Sequence, residues 1–178
     1  MSGHSKWSQI KHKKGTTDAK RSKLFSQLSR IITLAAREKG VDPSLNPSLR
    51  AAIEKAQQVN MPKDTIERAI IKAASNEDQL SRVLYEAYGP GGIAIIIEGI
   101  TDNNNRTFAE VRNILETHAA KMTHGGALWA FEKDGEHWKP NTMIPVGEAI
   151  KKKIEELTEA LQEHDDVQEV YTNLKLET

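Results

Sequence analysis

Seven cations, Lys6, Lys11, Lys13, Lys14, Lys20, Arg21 and Lys23, stand within the first 23 residues, with Asp18 the one acid among them. They fall in three runs: Gly3-His4-Ser5-Lys6-Trp7, Lys11-His12-Lys13-Lys14 and Lys20-Arg21-Ser22-Lys23. Cations crowded onto an arm or a helix end suit a phosphate backbone, because each neutralised phosphate releases condensed counterions whatever base it carries. Trp7 inside the first run offers a ring on which a base can stack; the alternative is an anchor that folds the arm back onto the body of the protein. Basic contact with nucleic acid is therefore expected within residues 6–30, with Lys6, Trp7, Lys11, His12, Lys13, Lys14, Lys20, Arg21, Lys23 and Arg30 as candidates.

Other constellations point to structure rather than chemistry. Lys63, Arg68 and Lys72 are interleaved with Asp64 and Glu67, the mixture of a solvated helix face supported by ion pairs. Gly89-Pro90-Gly91-Gly92 lacks the Gly-Lys-Ser/Thr ending of a phosphate loop and is not followed by a helix, so it reads as a hairpin turn. Catalysis fails on inventory: there is no cysteine, no Gly-x-Ser-x-Gly elbow and no His-Glu-x-x-His. His4, His12, His118, His124, His137 and His164 are scattered without metal-ligand spacing, and Asp165-Asp166 reads as a cap or turn. No enzyme activity, cofactor, metal or small-molecule substrate is expected.

The zero net charge of the 178-residue chain conceals an asymmetry. Residues 1–75 carry 15 Lys and Arg against 6 Asp and Glu; residues 76–178 carry 10 against 19. A polyanionic partner for the first half follows. Two other readings remain: a solvated lysine-rich surface, or a protein-interaction adaptor whose basic arm binds an acidic protein surface. The start is lysine-rich and acid-poor, as organelle presequences are, but has no amphipathic apolar face. No apolar run approaches the ~20 residues of a membrane span, and the absence of cysteine removes any need for an oxidising compartment. A cytoplasmic location is expected.

Two domains should position these residues. Residues 1–17 read as an arm. Leu24, Leu28, Ile31, Ile32 and Ala35 then mark an amphipathic helix from Asp18 to a stop at Gly40. Asn46-Pro47 opens a second helix (Leu49, Ala52, Ile53, Ala56), and Asn60-Met61-Pro62 separates it from a third (Ile66, Ala69, Ile70, Ala73). Beyond a polar linker at 75–81, the strand-like runs 83–88 and 93–98 make a hairpin. A helix with Phe108, Val111, Leu115 and Ala119 inward follows, then a strand at 127–132, a turn at Asp134-Gly135 and an extended piece at 143–146. A final helix (Ile150, Ile154, Leu157, Leu161) and a strand over 167–176 close the chain. The expected architecture is multidomain: a three-helix domain over 1–75, then an acidic α+β domain over 76–178, an antiparallel sheet with two helices on one face.

The segments GHSKW, IKHKK, DAKRSKLF, NPSLRAAIEKA, NMPKDTIERAI, YEAYGPGGIAIIIEGITDNNNRT, AEVR and DDVQEVY closely resemble the YebC family, which includes the mitochondrial translational activator of cytochrome oxidase. The similarity runs in order over nearly the whole chain. It implies a helical first domain with ferredoxin-like α+β domains behind it. It also implies one of two roles: a DNA-binding transcriptional regulator, or a ribosome-associated, RNA-binding translation factor that aids elongation through stretches such as consecutive prolines. The second is slightly favoured. The family's basic N-terminal motif matches Lys6, Trp7, Lys11, His12, Lys13, Lys14, Lys20, Arg21 and Lys23. GHSKW begins at residue 3, which leaves no room for a presequence and points to a bacterial cytoplasmic member. Two departures stand out. A glycine-rich stretch of the family reads Ala119-Ala120-Lys121-Met122-Thr123-His124-Gly125 here, and an inserted third domain is missing between about 133 and 142. For that excision to be tolerated, the strand ending near Glu132 and the segment 143–146 should be sheet neighbours or nearly so.

Overall fold

The computed structural model describes residues 18–75 and 79–175. The chain divides into two compact units. One takes the described part of residues 10–81 together with 100–103, the other residues 82–99 and the described part of 104–178.

The helical unit holds α1 (Asp18–Lys39), α2 (Pro47–Gln58) and α3 (Lys63–Lys72). Leu24, Leu28, Ile32 and Ala35 of α1 are buried with Leu49, Ala52 and Ala56 of α2 and Ile66 and Ala69 of α3. Gly40 takes the left-handed conformation (φ 95°) and donates to the Ala36 carbonyl, ending α1 where the sequence places its stop. Fully buried Asn46 joins the first two helices. Its side-chain oxygen caps Leu49 N–H at 3.0 Å, and its amide nitrogen donates to Ala35 and Gly40 carbonyls at 2.8 and 2.7 Å. Thr33 ties α1 to α3 by donating to the Ala69 carbonyl at 2.8 Å.

The second unit is built on a four-stranded sheet in the order β3-β1-β2-β6. Its strands are β1 (Ser81–Tyr88), β2 (Ala94–Thr101), β3 (Lys121–Thr123) and β6 (Val167–Thr172). The chain passes from β1 to β2 through a 3₁₀ turn at Pro90–Gly92, closed by Gly89 N–H on the Ile93 carbonyl at 2.8 Å. β3 pairs antiparallel with β1, and β6 antiparallel with β2. Helices α4 (Asn104–Thr117) and α5 (Glu148–Glu163) cover one face, where Val111, Leu115, Ile154, Leu157 and Leu161 pack with Ile93, Ile95 and Ile97. The fold class is thus α followed by α+β, with both helices of the second unit in one core.

The other face is also covered. Ala94 and Ile96 pack with Ala127, Ala130, Phe131 and Tyr171 beneath the two-stranded hairpin of β4 (Phe131–Asp134) and β5 (His137–Pro140). This corrects the strand expected over 127–132. Residues 128–130 form a 3₁₀ turn, and only from Phe131 does the chain extend. The physical cause is distant in sequence: the Glu86 carboxylate accepts the N–H groups of Ala127 and Leu128 at 2.7 and 2.9 Å and curls the chain there. The strand that does extend the sheet beyond β1 is the three-residue β3. The expected pairing of the Glu132 strand with segment 143–146 is also corrected. Glu132 pairs with Lys139 inside the hairpin, whereas Ile144 bridges to Leu174, exchanging bonds with Asn173 and Lys175. Residues 133–140 complete this hairpin, with Gly135 at φ 63° in its two-residue turn.

Candidate nucleic-acid interface

Of the ten candidates, Lys6, Trp7, Lys11, His12, Lys13 and Lys14 lie outside the described residues. The other four lie on α1, and the structure separates them. Lys20 and Arg21 are exposed on its first turns, with the Arg21 guanidinium 5.5 Å from the centre of the Phe25 ring one turn on. That cation–π contact is compatible with an exposed guanidinium. Lys23 is half-buried and already engaged.

Arg30 is half-buried, and its Nη1 donates to the Ile100 carbonyl of its own unit at 2.9 Å. Arg37, a further turn on, donates to the carbonyls of Ala73 and Ser75 at 3.5 and 2.9 Å and so satisfies the open end of α3. Of the six cations of α1, Lys20 and Arg21 are exposed on the first turns and Lys39 on the last, Lys23 is half-buried, and Arg30 and Arg37 bond backbone carbonyls.

α3 behaves as its mixed charges suggest. Lys63 pairs with Glu67 at 3.6 Å, and Arg68 donates to the Asp64 carbonyl and Thr65 hydroxyl of its own helix. These exposed pairs each contribute little stability.

In the α+β unit the titratable groups serve packing. Asp166 is buried and accepts from Arg106 at 2.9 Å and Thr107 at 2.6 Å. His164 accepts the Asp166 N–H on Nδ1 at 3.1 Å and meets Glu110 through Nε2 at 2.8 Å. Burial, and then the nearby carboxylates of Glu169 and Glu98, push the Tyr171 phenol well above its ordinary value and keep it protonated. Among the described residues no three His, Asp or Glu converge as a metal-ligand set, and no helix is long and apolar enough to cross a membrane.

Sequence reasoning missed Trp129, Tyr88 and Asn141. Trp129 is exposed on the 3₁₀ turn, its indole N–H donating to the Tyr88 hydroxyl at 2.9 Å. Only the glycine pair before that turn, Gly125-Gly126, signals locally that the chain breaks there.

Comparison with known proteins agrees over the whole chain. Residues 5–76 match the family model described as the TACO1/YebC protein N-terminal domain, and residues 80–137 and 135–174 match the TACO1/YebC second and third domain. A protein of Petrotoga mobilis is 45% identical over 176 residues, covering 97% of this chain and 70% of that protein. One of Desulfosudis oleivorans is 46% identical, covering 100% of this chain and 74% of its own length. A third, of Rubrobacter xylanophilus, is 37% identical over an alignment of 240 positions, with 99% of this chain and 96% of the relative covered. Each is named a probable transcriptional regulatory protein. The crystal structure of a conserved hypothetical protein from Aquifex aeolicus superposes with a TM-score of 0.87 at 33% identity, covering 98% of each chain.

Proposed function

Because this chain belongs to the TACO1/YebC family, we propose that it is a non-enzymatic regulator of gene expression that binds nucleic acid through the basic end of its helical unit. The observation that carries this reading is the exposure of Lys20 and Arg21 on the first turns of α1, the end that follows the lysine-rich residues 1–17 in sequence. Arg30 and Arg37, later on the helix, are bonded to backbone carbonyls. The exposed pair follows Lys6, Lys11, Lys13 and Lys14 in sequence, and phosphate contacts from such cations need no base sequence. On this reading residues 1–75 grip the nucleic acid in the cytoplasm. Residues 76–178 act without most of the third domain of longer relatives, the β4–β5 hairpin taking its place near 133–142.

The relatives' names favour transcription, hence DNA. The exposed residues over the first turns of α1 are Asp18, Ala19, Lys20, Arg21, Ser22 and Ser26, a set without the Asn, Gln and paired Arg that read base edges. That composition favours weak discrimination among duplexes, and structured RNA or the ribosome as the target. Sedimentation of lysate on a sucrose gradient, with and without nuclease, tests the proposal. Co-migration with nucleoprotein that nuclease abolishes is expected, and migration with ribosomal particles would assign the translational role. A complex that survives nuclease would instead identify a protein-binding adaptor.

A further inference from the structure

We propose that Trp129 is a second nucleic-acid contact, a platform on which an unpaired base stacks, held by a built support on the edge of the sheet; this rests on the nucleic-acid reading above. Trp129 leaves 58% of its surface exposed. Tryptophan is among the side chains that gain most from burial, so an exposed one held in a fixed pose needs an explanation. Here the pose is held from three sides. The indole N–H donates to the Tyr88 hydroxyl at 2.9 Å, and that hydroxyl donates to the Gly126 carbonyl. The Asn141 amide donates to the Trp129 carbonyl at 3.1 Å. The turn that carries the ring is fixed in turn by Glu86, whose carboxylate takes the N–H groups of Ala127 and Leu128.

The chemistry around the ring selects the ligand. The one polar atom of the indole is already bonded, which leaves its π-face as the interacting surface. Tyr88 sits directly opposite Lys121 across the β1–β3 pair, so the exposed ammonium stem leaves the sheet on the same face as the tyrosine. On the approach to the turn, Gly125 and Gly126 (φ 96° and 104°) have open space where a side chain would stand. A flat ring to stack on, a cation beside it and an open approach together fit one nucleotide of a single strand: base on ring, phosphate on lysine. An apolar protein partner would want apolar flanks, whereas the side chains bonded to this ring and its turn are Tyr88, Asn141 and Glu86, with exposed Lys121 opposite Tyr88.

The test is binding of a labelled single-stranded oligouridylate, by fluorescence anisotropy across a salt series, to the full chain and three variants. Trp129→Ala should weaken binding about tenfold without changing the salt slope, since stacking releases no counterions. Trp129→Phe should recover most of that loss. Lys121→Ala should lower the slope by about one. If Trp129→Ala binds as tightly as the unaltered chain, or Trp129→Phe is as weak as Trp129→Ala, the platform is refuted while the function stands. If the unaltered chain binds duplex but not the oligouridylate at low salt, the platform is refuted and the function stands; if it binds neither duplex nor structured RNA, the functional reading falls and the platform with it.

Discussion

Arg106 and Asp166, sixty residues apart, meet at 2.9 Å and tie the first turn of α4 to the residue before β6. The Thr107 hydroxyl adds a bond of 2.6 Å to the same carboxylate oxygen. The pair is unequal: the Asp166 side chain is 2% exposed and that of Arg106 43%. A carboxylate this buried is sustained by charged and hydroxyl donors, and the half-exposed guanidinium regains water if its partner is removed. Asp166→Ala should therefore lower the unfolding free energy in urea by about 2–3 kcal/mol. The same variant should leave nucleic-acid affinity unaltered under conditions where it remains folded. A loss of affinity in the folded variant would mean that this joint supports the interface.

Asn46 does more than cap a helix. Asn46→Ser keeps an oxygen suited to the Leu49 N–H but removes the donors to the Ala35 and Gly40 carbonyls. If capping were its whole role, the replacement would be nearly neutral. Loss of the donors at a buried site should instead cost about 2 kcal/mol in thermal or chemical unfolding.

What the sequence discloses follows from how local each cause is. Asn46-Pro47 and Gly40 mark helix ends through bonds within a few residues, and Leu157 and Leu161 share a helical stripe, so these elements are legible. The run Ala127–Glu132 is apolar like a buried strand, but its first residues are bent by Glu86, some forty positions earlier. β3 is too short to show alternation. The site divides in the same way. Charge density reveals Lys20 and Arg21, whereas Arg30 is withdrawn by a carbonyl seventy residues away that no pattern around it announces. By pattern Trp129 is one more strand residue; the 3₁₀ turn that exposes it is set by Glu86.

Two backbone positions should respond with opposite signs. Ala119 closes α4 at φ 55°, with Ala120 N–H on the Leu115 carbonyl and Ala119 N–H on that of Glu116, the pair of bonds that favours glycine at this place. Ala119→Gly should raise stability by about 0.5–1 kcal/mol. At Gly99, where the β2–β6 register shifts, an added Cβ would lie 2.7 Å from the Asp166 carbonyl oxygen and 3.0 Å from Val83 Cγ2. Since the nearer atom is backbone and cannot swing away, Gly99→Ala should cost about 1–3 kcal/mol. Paired urea titrations of the two variants check both signs.

The central claim is that the basic N-terminal end binds nucleic acid by neutralising phosphates, and the salt dependence of affinity measures that directly. With about five phosphate contacts from the arm and the first turns of α1, log K against log salt on duplex should fall with a slope of about −4 to −5. Reversing charge at Lys11, Lys13 and Lys14 together should flatten it by roughly 2 to 3 units, while Arg30→Gln leaves it in place because that guanidinium is bonded to Ile100. An unchanged slope in the triple variant would contradict the account and return these lysines to a solvated surface.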